Sequence, residues 1–146
     1  MDPDLNTAIA FACAVLALWM KGMITAWAQV AIRIRTRSLV RPEDARLLNV
    51  APARAEDPRV TRLEAVWRNE LESSPATLAL GAAYVLVGGD AVAFSWALAA
   101  FVAARFLQGA AQYGRLQPAR TLAWLLGVAS AGFIALLLAL QSLSLA

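Results

Sequence analysis

Four stretches of apolar residues, separated by polar loops or a turn, dominate the pattern of this chain of 146 residues. They lie at about residues 5–33, 60–87, 91–113 and 119–143. Helices of such length and composition cross the roughly 30 Å of hydrocarbon in a bilayer. The pattern therefore predicts an all-α integral membrane protein. We expect a single transmembrane domain of residues 1–146, built as an up-down-up-down four-helix bundle.

The second stretch differs from the others because its uncharged part, residues 73–87, is too short to cross a bilayer alone. Its helix must begin near residues 58–62, and its first half then carries Glu64, Arg68, Asn69, Glu70 and Glu72. Pro75 falls inside this helix. A short helix is also predicted at Pro42, since a proline followed by acidic residues favours a helix start.

Composition and charge support a membrane protein, since 60% of the residues are hydrophobic and 16% are charged. Eight arginines lie in residues 33–62 and two in residues 114–120. The positive-inside rule places both segments, including a loop at about residues 34–59, in the cytoplasm and both termini outside it. A nucleic-acid-binding protein would instead spread cations over a soluble surface. The acidic residues 1–4 are unlike a signal peptide, so the first helix is expected to remain.

Polar side chains from all four predicted helices fall at the cytoplasmic end of such a bundle. They are Arg33, Arg68, Asn69, Glu72, Arg105 and Arg120. Arg105 lies roughly 15 Å below its loop. Charges at this depth cost several kcal/mol unless they are paired, so they should face the bundle interior or a subunit interface. Because arginine exceeds glutamate here, we expect a pocket for an anionic ligand that enters from the cytoplasm.

Helical spacing assigns these residues to faces. Arg68, Asn69 and Glu72 are expected to share a face of the second helix, with Glu70 pointing elsewhere. Arg105, Gln108 and Gln112 form a polar stripe along the third helix. A plainer interpretation stays open, in which Arg68 and Glu72 form an intrahelical salt bridge and the loop arginines only set topology. Lys21 is expected to snorkel or to pair rather than to catalyse.

The sequence contains one cysteine and no histidine. Cys13 lies inside an apolar stretch, so no disulfide framework is expected. A metal site built from His and Cys is excluded, as is a His-based catalytic triad. No metal is therefore expected.

Several motifs resemble the MAPEG superfamily, the membrane-associated proteins of eicosanoid and glutathione metabolism. They are Pro42-Glu43-Asp44, Trp67-Arg68-Asn69-Glu70-Leu71-Glu72, the stretch 78–84, Arg105 and Gln117-Pro118-Ala119-Arg120-Thr121. The likeness extends from about residue 22 to about residue 125. It looks closest to the branch of microsomal glutathione transferases and microsomal prostaglandin E synthases. A bacterial-type member in the inner membrane is expected.

The resemblance implies a homotrimer that binds glutathione between subunits, near the cytoplasmic face. The candidate binding residues are then Arg33, Arg68, Asn69, Glu72, Gln108, Gln112 and Tyr113, and the candidate catalytic residues are Arg105, Arg120 and Thr121. Glu72 would receive the amino group of glutathione, and the arginines would hold its carboxylates. Arg120 and the Thr121 hydroxyl would lie near the thiol, whose ordinary pKa of about 8.5 a guanidinium lowers.

The chain departs from the family pattern at three positions. Trp67 stands where the family usually has His, and Gln108 and Gln112 replace a His and a Tyr on the third helix. Glutamine donates hydrogen bonds but supplies no phenol, and Tyr113 lies about 100° round the helix.

Two functions stay open. The first is a glutathione-dependent transferase or peroxidase that acts on lipophilic small molecules arriving through the membrane lipids. The alternative is a non-catalytic MAPEG-like trimer that binds a lipid head group or serves as an accessory subunit. A nucleic-acid partner is not expected.

Overall fold

Five helices lie within residues 4–145, the part of the chain that the computed structural model describes. They are α1 (Leu5–Thr36), α2 (Pro42–Leu47), α3 (Pro58–Leu86), α4 (Ala91–Tyr113) and α5 (Gln117–Ser144). The short helix α2 begins at Pro42, as the sequence predicts. The four long helices correspond to the four predicted segments, and the largest difference is that α1 continues to Thr36. The prediction about the acidic start of the chain falls mostly on residues 1–3, which lie outside the described residues.

Three of the long helices, α1, α4 and α5, are long and apolar enough to cross a membrane. The remaining long helix, α3, has 29 residues, so it extends over about 44 Å. It runs without interruption through Pro75. Its length is sufficient for a crossing, but its first half carries the charges that the sequence places there.

Aspartate side chains cap the start of three long helices. Asp4, Asp57 and Asp90 each accept a hydrogen bond from the backbone N–H two residues ahead, over 3.2, 2.8 and 3.0 Å respectively. The Asp57 carboxylate also pairs with the Arg59 guanidinium at 3.1 Å. These bonds to Arg59 hold the pKa of the Asp57 carboxyl below its usual value. The caps fix where α1, α3 and α4 begin, and therefore where their side chains fall.

A tight turn at residues 88–90 joins α3 to α4, and it relies on glycine. Gly88 has a φ of 71°, which is the left-handed region. Gly89 packs directly against the ring of Tyr84, whose hydroxyl donates to the Asp90 carbonyl at 3.2 Å. Thr7, near the start of α1, donates to the Gly89 carbonyl at 3.0 Å. The start of α1 therefore lies at the same end of the bundle as this turn.

The helices α3 and α4 each pack against the three other long helices. Within the described residues, α1 and α5 lie on opposite sides of this pair and make no contact with each other. The apolar core lies towards the turn, where Tyr84 stacks on Phe94 with 4.6 Å between ring centroids. Leu98 and Ile134 close this core. The opposite end, where α1 and α4 finish and α3 and α5 begin, is where the polar side chains collect.

The structure corrects the predicted faces of α3. Five of the six buried residues of α3 follow one helical stripe: Val66, Ser74, Thr77, Gly81 and Tyr84. Glu70 lies four residues from both Val66 and Ser74, so it falls on this stripe and points inward, not away from the bundle. Arg68 and Glu72 fall on the other side and are exposed. Small side chains, rather than charges, mark the inward face of this helix.

We expect Gly89→Ala to lower the stability of the protein, because the added methyl group would overlap the Tyr84 ring. Phe94 and the Asp90 carbonyl hold that ring, so overpacking should cost about 1–3 kcal/mol. The control is Gly132→Ala on α5, where a methyl group would meet no atom within 4 Å. Thermal unfolding in detergent measures both variants. Equal midpoints for the two would contradict the close packing of the turn.

Candidate functional site

Three charged side chains from three helices meet near the middle of α1 and α3, below the polar end, and we call Lys21, Glu70 and Arg105 the charge cluster. Lys21 Nζ donates to Glu70 Oε2, and Arg105 Nη2 lies 3.4 Å from the same oxygen. Ser74 Oγ donates to the second carboxylate oxygen. Lys21 is 8% exposed and Arg105 is 3% exposed. Charges so removed from water need partners, so the cluster ties α1, α3 and α4 together.

Arg105 also holds two amide side chains, Asn69 and Gln108, which we call the amide pair. Arg105 Nη2 donates to the Asn69 backbone carbonyl at 2.9 Å and to Asn69 Oδ1 at 3.1 Å. Arg105 Nη1 donates to Gln108 Oε1. Gln108 Nε2 in turn donates to Asn69 Oδ1 at 3.1 Å. The amide pair therefore rests directly on the charge cluster.

A cleft opens where α3 and α5 begin and α4 ends, and we call it the helix-end cleft. Its larger lobe, of about 560 Å³, is lined by Glu56, Pro58, Thr61, Arg62, Ala65, Ala111, Gln112, Arg115, Gln117 and Arg120. Its smaller lobe, of about 200 Å³, is lined by Asn69, Gln108, Gln117, Arg120, Thr121 and Trp124. The two lobes share Gln117 and Arg120. Three arginines and one glutamate give the lining an excess of positive charge.

An apolar groove continues from the smaller lobe between α3 and α5, and the two share Trp124. This α3–α5 groove has a volume of about 360 Å³. Small residues of α5 form much of its wall, namely Gly127, Ala131, Gly132 and Ala135. Phe101 and Arg105 of α4 also line it. A polar cleft and an apolar groove thus meet at one tryptophan.

The structure brings five of the predicted site residues into the helix-end cleft: Asn69, Gln108, Gln112, Arg120 and Thr121. Arg105 lies behind the amide pair and does not line either lobe. Tyr113 stacks on Arg62 of the larger lobe, with 5.8 Å between the guanidinium carbon and the ring centroid. The side-chain oxygen of Gln112 is buried and has no partner among the described residues.

Three predicted site residues lie outside the cleft. Arg33 is held by two glutamates, with 2.8 Å to Glu56 and 2.7 Å to Glu64. It lines a second cavity, of about 410 Å³, beside the loop after α1, and this cavity shares Glu56 with the larger lobe. Arg68 and Glu72 are exposed, and within residues 4–145 they form no salt bridge with each other. A single chain therefore assembles only part of the predicted constellation.

Sequence reasoning missed Glu70 as an interior residue, together with Arg62, Arg115 and Gln117 in the cleft lining. A signal for Glu70 was present. Lys21 is the single charge in the apolar part of α1, and Arg105 is the single charge of α4, so each requires a carboxylate at its own depth. Glu70 lies on the stripe of small residues that faces both of them. The cleft residues follow from the convergence of three helix ends.

Among the described residues, no group of His, Cys, Asp or Glu side chains is placed to hold a metal.

A sequence profile of the MAPEG family matches residues 9–140, which include the charge cluster and every residue that lines the two cleft lobes. The chain belongs to the MAPEG family. No curated protein matches it by sequence. Family membership and three helices of membrane-crossing length make this MAPEG protein an integral membrane protein. The family points to a glutathione-related function of the transferase or isomerase type in the membrane.

We expect Glu70→Gln to destabilise this MAPEG protein by about 3–5 kcal/mol, because it leaves Lys21 and Arg105 as buried cations without a carboxylate. Glu43→Gln is the control, since the same change affects an exposed side chain on α2, away from the long helices. Thermal unfolding of both variants in one detergent gives the comparison. A similar small loss in both would show that the charge cluster contributes little to stability.

Proposed function

We propose that this MAPEG protein is a membrane-bound glutathione-dependent transferase or peroxidase, with glutathione bound in the helix-end cleft. The observation that carries the proposal is the chemistry of the cleft lining. Arg62, Arg115 and Arg120 supply guanidinium donors, and the amide pair supplies further N–H groups. Glu56 is the only acidic side chain in the lining of the two lobes.

This set of donors fits glutathione. The tripeptide has two carboxylates, which arginines bind with paired hydrogen bonds, and one ammonium group, which Glu72 would receive across a subunit interface. The larger lobe, at about 560 Å³, falls in the range of roughly 300–1,000 Å³ typical of small-ligand sites. The phosphate of a lipid head group has a similar need for donors, so the lipid-binding alternative is an outcome that the experiment must separate.

The start of α5 is the part of the cleft suited to the thiol. Bound glutathione would supply a sulfur that bonds to an electrophilic carbon, while the leaving group departs with its electron pair and the thiol proton passes to water. Arg120 and Thr121 lie in the first turns of α5 and line the smaller lobe. A guanidinium and the N-terminal end of a helix both stabilise negative charge and lower a thiol pKa from about 8.5.

The α3–α5 groove supports a lipophilic second substrate. It reaches the smaller lobe at Trp124, so an apolar molecule in the groove would lie next to Arg120 and Thr121. Small side chains leave the space, and the surroundings are apolar. The reaction would then combine a water-soluble partner from the cleft with a membrane-soluble partner from the groove.

We also propose a homotrimer. Arg68 and Glu72 are exposed roughly 15 to 20 Å along α3, at a depth where charges in a bilayer need polar partners. A neighbouring protomer on this side of α3 would give them such partners. It would also bring them and Arg33 into a site between subunits, where a single chain leaves them apart.

The proposed topology has four crossings, with α3 as the second. Loop arginines between α1 and α3 and between α4 and α5 support a cytoplasmic position for the helix-end cleft. We place the protein in the inner membrane of a bacterium. Both termini would then lie on the side of this membrane that faces away from the cytoplasm.

We expect Arg120→Ala to weaken activity at least tenfold at neutral pH and to raise the pKa of the bound glutathione thiol, because the nearest guanidinium is lost. The measurements are the ultraviolet absorbance of the thiolate across a pH series and the conjugation of an aryl halide. Arg46→Ala, an exposed arginine on α2, is the control and should match the original protein. Phospholipid that co-purifies and that glutathione does not displace would favour the lipid-binding alternative.

We expect reporters fused at the two termini to lie on the same side of the membrane, because four crossings return the chain to its starting side. Alkaline phosphatase, which is active only outside the cytoplasm, should be active at both ends. Green fluorescent protein inserted after Asn49, between α2 and α3, should fluoresce in the cytoplasm. Termini on opposite sides would show three crossings and would remove α3 from the membrane.

A further inference from the structure

The amide pair carries an inference that rests on the proposed function and goes further into the site. We propose that Arg105 is a positioning residue, which turns the amide nitrogens of Asn69 and Gln108 into the helix-end cleft. The floor of the smaller lobe then presents donors, and it selects a ligand with negative charge on its sulfur. Arg105 itself stays behind this floor.

The direction of the two amides follows from the chemistry of arginine. A guanidinium has five N–H donors and no acceptor, so only the oxygen of an amide can face it. Arg105 Nη1 is bonded to Gln108, and Arg105 Nη2 is bonded to Asn69 at 3.1 Å. Both amide oxygens must therefore turn towards Arg105. Asn69 Oδ1 is occupied a second time, by Gln108 Nε2 at 3.1 Å.

The amide nitrogens consequently have hydrogens to spare. Asn69 Nδ2 makes no hydrogen bond within the described part of the chain, and Gln108 Nε2 uses only one of its two hydrogens on Asn69. Both side chains line the smaller lobe beside Arg120 and Thr121. The amides would be ambiguous donors or acceptors if Arg105 did not hold their oxygens.

The charge cluster strengthens the preference for an anion. The Glu70 oxygens are occupied by Lys21, Ser74 and Arg105, so this carboxylate is not turned towards the cleft as a free acceptor. Two cations and one carboxylate leave a net positive charge behind the amide pair. Away from water such a charge is weakly screened, and it acts on a ligand across the amides. This positive charge stabilises a bound ligand with an anionic sulfur more than it stabilises one with a neutral sulfur.

The test compares two analogues of glutathione. Glutathione sulfonate has a permanent negative charge at the sulfur, and S-methylglutathione has a neutral sulfur. We expect the original protein in detergent to bind the sulfonate at least tenfold more tightly, as measured by titration calorimetry at fixed ionic strength. In the Gln108→Glu variant, the ratio of the affinity for the sulfonate to that for S-methylglutathione should fall at least tenfold. The affinity for S-methylglutathione itself should stay within about twofold of that of the original protein.

The variant is chosen so that the fold survives. Glutamate has nearly the shape of glutamine, and its carboxylate remains a partner for Arg105, but it replaces the N–H donors with an oxygen. Gln141→Glu makes the same change near the far end of α5 and should leave the preference unaltered. Arg105→Lys provides a second test, because an ammonium cannot hold both amide oxygens as the guanidinium does. Like Gln108→Glu, Arg105→Lys should reduce the preference for glutathione sulfonate over S-methylglutathione.

The outcomes separate the two proposals. If the original protein binds neither analogue, glutathione is not the ligand of the cleft and the proposed function is wrong. If it binds both with equal affinity, or if Gln108→Glu keeps the full preference for the sulfonate, the proposed function stands and the positioning role of Arg105 is wrong. A loss of preference in Gln108→Glu with S-methylglutathione binding intact supports the inference, because a merely structural change would weaken both analogues.

Discussion

The carboxylate of Glu70, set between Lys21 and Arg105, is the interaction on which the arrangement of the polar end depends. It is shared by side chains from α1 and α4 and is carried by α3, so it fixes three helices relative to one another. Each of the three side chains is at most 12% exposed, so a charge left there without its partners would be strongly destabilising. An arrangement of these helices that separated the three groups would carry the cost of buried unpaired charges.

Arg105 connects this structural requirement to the ligand site. The same guanidinium that contacts Glu70 also holds Asn69 and Gln108, which form the floor of the smaller cleft lobe. At the far end, packing of Tyr84 on Phe94 and the glycines of the turn set the spacing of α3 and α4. Tight apolar packing thus holds one end of the bundle, and paired charges hold the end where chemistry is proposed.

The sequence predicts the helices well because their ends have simple local causes. Asp57 and Pro58 begin α3, and the glycines at 88 and 89 end it. It also predicts that polar residues of α3, α4 and α5 converge. It does not predict which of them face inward, since on α3 charge spacing points to Arg68 and Glu72 while the small residues point to Glu70. The partners of Arg33 depend on the path of an irregular loop, and local pattern contains no information on that path.

The charge cluster also has a consequence for biosynthesis. The ribosome makes α1 first, so Lys21 enters the membrane before its carboxylate exists, and its long side chain must reach back towards the head groups in the meantime. Once α3 has been synthesised, Glu70 can pair with Lys21, and α1 can then pack against α3. Arg105 arrives last, on α4, at a carboxylate that is already in place. In the proposed four-crossing topology, α1 would therefore reach its final position only after α3 has been inserted.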